Sequence, residues 1–588
     1  MEQRNIKLIF ENEGDSMKID LIIKGAKVFN SYFKNFFQED IAVLNGKIFY
    51  VGQISEKDFS CEKIVNAQGK YVIPGLIDIH MHIESSMATP LAFSHELVKN
   101  GVTTIVSEPH EMANVFGIDG IKEMIKLGED AEIDIYYGVP SSVPSTSIEY
   151  ETTGGEIDLN EINELMKNEK VICLGEVMNY YDVINSSDKK INKILKYYTE
   201  NHANIPIEGH CPRLMGLELS KFVWAGVTSD HTQQTVEGIE ARIKNGMFIE
   251  IQEKSMTQPI IDYLIKNNLY EHFSFVTDDV MADSFVNEGH INKLVRKAVA
   301  MGMSIENAVY CSTYTPARRM NLNDRGSIST GKIADFLLLD DSNIFKIHEV
   351  YKNGKEIFNS DKEYNEFKSN KTFSPHFYNS IKLKHIDESK LKIKANINNG
   401  KALCRIMKIE DGSTFTDEIF EYVNVKEGYL QWENSPFCLI AVFERHGKNG
   451  NIGYGLATGD TIKKGAVAAS YAHDHHNILV VGKNSSDIVK AVNSVIDSQG
   501  GYYVVENNKI LAGMELSVGG ILSEKDMPSI GKELSEVKAA MKYIGYKHYS
   551  PIMSFSTNGL PVSPLLKITD KGLIKLSENK IVDIFVEV

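Results

Sequence analysis

Residues 72–86 read VIPGLIDIHMHIESS, and the rest of the 588-residue chain is best read outward from them. A largely apolar run from Tyr71 to Ile79 ends on His80 and His82. Alternate side chains of a β-strand share a face, so the two imidazoles point the same way. Two imidazoles at the C-terminal end of a buried strand form half of a divalent metal site. Chance alternation is the competing reading, and the ligands supplied downstream decide between them.

Downstream of this strand, apolar segments alternate with helical-period ones. Eight strand candidates result, at 72–82, 103–109, 133–139, 171–177, 205–211, 226–231, 247–253 and 272–278. That count and alternation predict a parallel (β/α)8 barrel over residues 74–324. In such a barrel, polar residues at the C-terminal strand ends are read as catalytic. Strand four ends on Glu176, strand five on His210, strand six on Asp230 and His231, and strand eight on Asp278 and Asp279. A lone strand-end carboxylate also reads as a helix cap. Four histidines and two carboxylates at one barrel mouth instead suit two divalent ions, with one carboxylate bridging. Spacing leaves open which of Asp278 and Asp279 takes part, because strand neighbours face opposite ways.

The flanks are β-rich. Residues 19–73 read as short strands with a hairpin turn at Asn45-Gly46, and a similar block returns downstream with Asn353-Gly354. Together, residues 1–73 and 325–365 predict a small β-sandwich built from both sides of the barrel. Residues 370–588 mix strands and helices and predict a C-terminal α+β domain. The fold class is therefore α/β, a (β/α)8 barrel with a flanking small β-sandwich and a C-terminal α+β domain.

A net charge of −16 with no basic cluster argues against nucleic acid as a partner. No stretch approaches the ~20 apolar residues of a membrane span. The N-terminal MEQRNIKLIFENEG lacks the apolar core of a signal peptide. Six cysteines without C-x-x-C spacing predict free thiols in a reducing cytoplasm. A homo-oligomer is expected.

The motif PGLIDIHMH, with the strand-end histidines and aspartate, resembles the amidohydrolase superfamily. IESSMATP, EPHEMANVFG, EGHCPRL, TDD followed by NEGHIN, ERHGKNGNIGYG and AHDHHN narrow this. They resemble adenine deaminases of the bacterial and archaeal type, from about residue 19 to the C-terminus. The resemblance implies His80, His82 and Asp278 on one ion, His210 and His231 on the other, and Glu176 bridging. Related hydrolases of cyclic amides bridge with a carbamylated lysine, but VICLGEV has none after Lys170. The implied reaction is hydrolysis of adenine to hypoxanthine and ammonia by a metal-bound hydroxide, in purine salvage. The alternative is another purine or a cyclic amide. Mn2+ or Fe2+ is the implied metal, with Zn2+ as a further option. Asp278, Glu176 and His231 are the implied catalytic residues, and Glu84, His110, Glu111 and Asp279 the substrate-binding ones. Glu84 and His110 can instead fix the ligand imidazoles.

Two segments depart from the family pattern. Glu108-Pro109-His110-Glu111 stands where D-P-H-E is usual, and Gln252-Glu253-Lys254-Ser255 where R-E-G-S is common. The second change removes a guanidinium fork. Near the C-terminus, His473, Asp474 and His476 match H-D-x-H-N, with His475 at its variable position. They read either as an accessory metal site or part of the active-site mouth, or as a solvated turn.

Overall fold

Eight short parallel strands form the barrel: β1 (Leu76–Met81), β2 (Val102–Ser107), β3 (Asp134–Val139), β4 (Val171–Val177), β5 (Ile207–Gly209), β6 (Ser229–Asp230), β7 (Phe248–Ile251) and β8 (Phe273–Phe275). The computed structural model describes residues 16–586 apart from 56, 343 and 564, so the segment 1–14 read for a leader lies outside the described residues. Strands β1–β5 pair as one arc and β6–β8 as another. The arcs are joined where the Thr228 N–H donates to the Ile207 carbonyl at 2.9 Å. They are joined again where the Asp278 N–H donates to the His80 carbonyl at 3.1 Å. Runs such as VTTIVS suit these positions because β-branched side chains pack well in strands buried on both faces.

The later strands are shorter than their apolar segments. Asp278 lies three residues beyond β8 at φ 56°, in the left-handed region. Strand alternation therefore does not govern the choice between Asp278 and Asp279.

Residues from both sides of the barrel share one antiparallel-rich sheet. Leu21–Asn30, Asn35–Leu44, Lys47–Gly52 and Tyr71–Pro74 join Phe336–Asp341, Lys346–Lys352 and Lys355–Asn359. Asn45 and Gly46 have φ 51° and 71°, and Asn353 and Gly354 have 50° and 72°, as a tight two-residue hairpin requires. The two turns stack: a Cβ on Gly46 would lie 3.2 Å from the Asn353 carbonyl oxygen.

The C-terminal region is a nine-stranded sheet packed with helices Ser485–Asp497 and Met527–Tyr543. Its apolar core is continuous with that of the barrel. Polar contacts reinforce the join. The Asp570 carboxylate accepts from the Thr152 N–H at 2.9 Å and from its hydroxyl at 2.8 Å, and the Asn477 amide donates to the Thr152 carbonyl. No described helix is long and apolar enough to cross a membrane. All six cysteines are free thiols.

Candidate metal centre

His80 is on β1 and His82 just past it, and both are buried. Their rings stand perpendicular with centroids 5.3 Å apart. Asp278 Oδ1 lies 3.8 Å from His80 Nε2 and 3.4 Å from His82 Nε2. Glu176, near the end of β4, faces both halves of the site. Its Oε2 is 2.9 Å from His210 Nδ1 and 3.2 Å from His231 Nε2, and its Oε1 is 3.6 Å from His82 Nε2. All six strand-end residues thus meet in one place. Glu176 is not a helix cap, because Asn179 caps the following helix by accepting from the Asp182 N–H.

The strand ends are shaped to hold this arrangement. Gly175 has no side chain, and a Cβ there would lie 2.3 Å from Glu108 Cδ. The room so left lets Glu108 Oε2 accept from the Glu176 N–H at 2.7 Å. Ser141 donates to the Glu176 carbonyl at 2.7 Å. The longer Glu108 is thus accommodated as a backbone anchor for β4. Gln252 donates a short hydrogen bond to Asp278 Oδ2, and Lys254 Nζ lies 3.7 Å from the same oxygen. An amide and an ammonium occupy the role open to an arginine fork.

The donors suit divalent cations. Burial opposes ionisation of Glu176, but His210 and His231 outweigh it and hold the carboxyl well below its ordinary value. Burial opposes ionisation of Asp278 too, and its bond with His82 and the nearby imidazoles outweigh it. Burial drives the His80 imidazole down to about 3, leaving it neutral as a ligand must be. His80 Nε2 has no hydrogen-bond partner. His210 Nδ1 and His231 Nε2 are 3.0 Å apart while both face Glu176. Imidazole and carboxylate lone pairs converging in this way form a donor set that Mn2+, Fe2+ or Zn2+ accept.

The other candidates surround this centre. Glu84 is fully buried on the turn Ile83–Ser86, and burial pushes its carboxyl up to about 7. Asp279 accepts from Ser85 Oγ at 2.5 Å. The His110 ring lies 4.6 Å from that of His82. Glu111 reaches the C-terminal region, where its Oε1 is 2.5 Å from His473 Nδ1 and its Oε2 accepts a short hydrogen bond from His476 Nε2. His473, Asp474 and His476 are buried, so the reading of this stretch as a solvated turn is wrong. His475 is equally buried, and its Nδ1 accepts from the Asn477 N–H at 2.9 Å.

Sequence reading missed the carboxylates inside the barrel. Glu250 on β7 lies 3.9 Å from His231 Nδ1. Glu208 on β5 accepts from Ser229 Oγ and Arg319, both at 2.6 Å. Burial and the neighbouring Glu208 push the Glu250 carboxyl well above its ordinary value. The available signal was a carboxylate in the middle of the apolar runs PIEG and FIEI. Asp230 faces away from the site and pairs with Arg242 at 2.6 Å.

Comparison with known proteins agrees with this geometry. Residues 71–361 match the amidohydrolase family, and residues 413–580 match the adenine deaminase C-terminal domain. The chain is 53% identical over 572 residues to an adenine deaminase of Clostridium perfringens, covering 97% of this chain and 100% of that protein. It is 51% identical over 571 residues to adenine deaminase 2 of Shouchella clausii, covering 97% and 99%. It is 41% identical over 570 residues to an adenine deaminase of Lactobacillus delbrueckii subsp. bulgaricus, again covering 97% and 99%. With near-complete coverage of both chains and the two domain types in one order, this chain belongs to the adenine deaminase family of amidohydrolases.

Proposed function

We infer that this protein is a hydrolase that converts adenine to hypoxanthine and ammonia. The observation that carries the inference is the convergence of His80, His82, His210, His231, Glu176 and Asp278 in a chain of this family. We propose that these six residues would hold two divalent ions, Mn2+ or Fe2+, with Zn2+ as a further option. When bound, such ions supply a water of lowered pKa, near ~7, in place of bulk water.

The chain's own residues perform the remaining tasks. The water oxygen adds to C6 and the bond from C6 to the exocyclic nitrogen breaks. Of the two water protons, one goes to the departing amine, which leaves as ammonia, and one remains on ring N1. Asp278 is the base that takes and passes on a proton, and its left-handed backbone aims it between His80 and His82. His231 holds Glu176 from the opposite side. Glu84, His110, Glu111 and Asp279 line the approach and meet the purine edges. Among these, Glu84 is suited to keep and donate a proton, because burial raises its carboxyl to about 7.

We further propose that the chain works as three units: 1–73 with 325–365, 74–324, and 370–588. The protein serves purine salvage in the cytoplasm as a homo-oligomer, with no nucleic-acid or membrane partner. The free thiols and the net charge of −16 support the cytoplasmic setting and the absence of nucleic acid. The test is ammonia release across purines after chelation and reconstitution with Mn2+, Fe2+ or Zn2+. Adenine should turn over only in the reconstituted protein, and adenosine should not. Equal turnover of the nucleoside, or full activity after chelation, would refute the reading.

A further inference from the structure

Beside the barrel's centre lies a second cluster, two of whose residues, His110 and Glu111, the reaction above places at the substrate's approach. It joins His110 and Glu111, on the barrel helix His110–Phe116, to His473 and Asp474 of the C-terminal domain. One ligand atom from each of the four residues lies within 4.8 Å of all the others. Each of the four residues is at most 4% exposed.

The charge balance is the first argument. Glu111 and Asp474 place two carboxylates together out of water. Among the described residues, their ion-pair partners within 4 Å are all imidazoles: His110, His473 and His476. No lysine or arginine enters that set. Two buried carboxylates are unfavourable unless opposite charge is supplied, either by protons on these imidazoles or by a cation among them.

The atoms left without partners are the second argument. Glu111 Oε1 and His473 Nδ1 stand 2.5 Å apart, yet Glu111 Oε1 has no hydrogen-bond partner. The facing atoms of the other two residues are His110 Nε2, 3.6 Å from Glu111 Oε1 and 3.9 Å from Asp474 Oδ1, and Asp474 Oδ1 itself, 3.4 Å from His473 Nδ1. Two imidazole nitrogens and two carboxylate oxygens thus face one point, where a cation would take the place of shared protons. His476 behaves differently. Its Nε2 hydrogen-bonds to the other oxygen of Glu111 and fixes the carboxylate's orientation, as partners behind metal ligands do.

We propose that His110, Glu111, His473 and Asp474 form a third divalent-cation site, separate from the ions of the barrel. Imidazole and carboxylate donors select Mn2+, Fe2+ or Zn2+ over Mg2+ or Ca2+. Its ligands come from the barrel and from the C-terminal domain, as the contact of Glu111 with His473 shows. The ion therefore cross-links the two domains and seats the loop Tyr471–Asn477 against the barrel.

The test counts ions rather than turnover. Chelated full-length protein is titrated with Mn2+, and bound metal is measured from the loss of the free-ion EPR signal and by elemental analysis. Asp474→Asn and His473→Ala should each bind one Mn2+ fewer per chain than wild type. Because the count is read as a difference, it does not depend on how many ions the barrel holds. Glu176→Gln, measured in parallel, reports the barrel's centre separately, and its loss should add to that of Asp474→Asn. Should His473→Ala fail to fold, the isosteric Asp474→Asn decides. Wild type and Asp474→Asn binding the same number of ions would overturn the proposal and leave the cluster as a hydrogen-bonded contact.

Discussion

Glu176 shows how one residue acquires its chemistry from its surroundings. Burial alone would keep its carboxyl protonated, and the facing imidazoles of His210 and His231 reverse that. Its amide neighbour in the Gln variant has similar volume but no charge, so Glu176→Gln tests the charge itself. We expect it to lose at least one bound metal per chain and to lower kcat by ~10³-fold or more, ~4 kcal/mol of transition-state stabilisation. Metal analysis and steady-state kinetics check this. A variant with wild-type metal content and kcat would remove Glu176 from the centre.

At the scale of the element, the ends of β2 and β4 work as a pair. The absence of a side chain at Gly175 lets Glu108 reach across from the end of β2 and take the Glu176 N–H. Gly175→Ala places a methyl 2.3 Å from Glu108 Cδ, so the carboxylate must leave. The Glu176 N–H then loses a buried partner, at a cost of ~1–3 kcal/mol. We predict a lower melting temperature together with a kcat loss of tenfold or more, as Glu176 shifts on its strand. Thermal unfolding with kinetics on the same preparation separates the two effects. If kcat stays within twofold of wild type, Glu108 does not position Glu176.

Across the whole molecule, the C-terminal domain is not an appendage. Its core is continuous with the barrel's, and Asp570 fixes the segment around Thr152 on which Asn477 also rests. Asp570→Ala leaves the Thr152 N–H and hydroxyl without their carboxylate in a buried setting. A loss of ~1–3 kcal/mol is expected, with kcat/KM reduced because the loop carrying His473 and His476 loses part of its support. Chemical denaturation and kcat/KM measure the two outcomes, and an unchanged kcat/KM would show that the loop holds its place without this contact.

The amino-acid sequence by itself determined what depends on local periodicity. The eight barrel strands, the two Asn-Gly hairpins and the histidines at strand ends follow from alternation, turn chemistry and motif spacing. The same periodicity made the meeting of His80, His82, Glu176, His210 and His231 legible, because a parallel barrel brings every strand's C-terminal end to one mouth. Tertiary structure alone decided the rest. The family resemblance favours Asp278 over Asp279, but the left-handed backbone turn that brings it beside His80 and His82 is not encoded in strand alternation. Glu208 and Glu250 came to face one another only because β5 and β7 curve into a closed barrel. The histidines near 473 changed from a turn of uncertain setting to a buried cluster because Glu111, distant in sequence, packs against them. Burial and long-range pairing are properties of the folded chain, and a residue's neighbours in sequence carry little record of them.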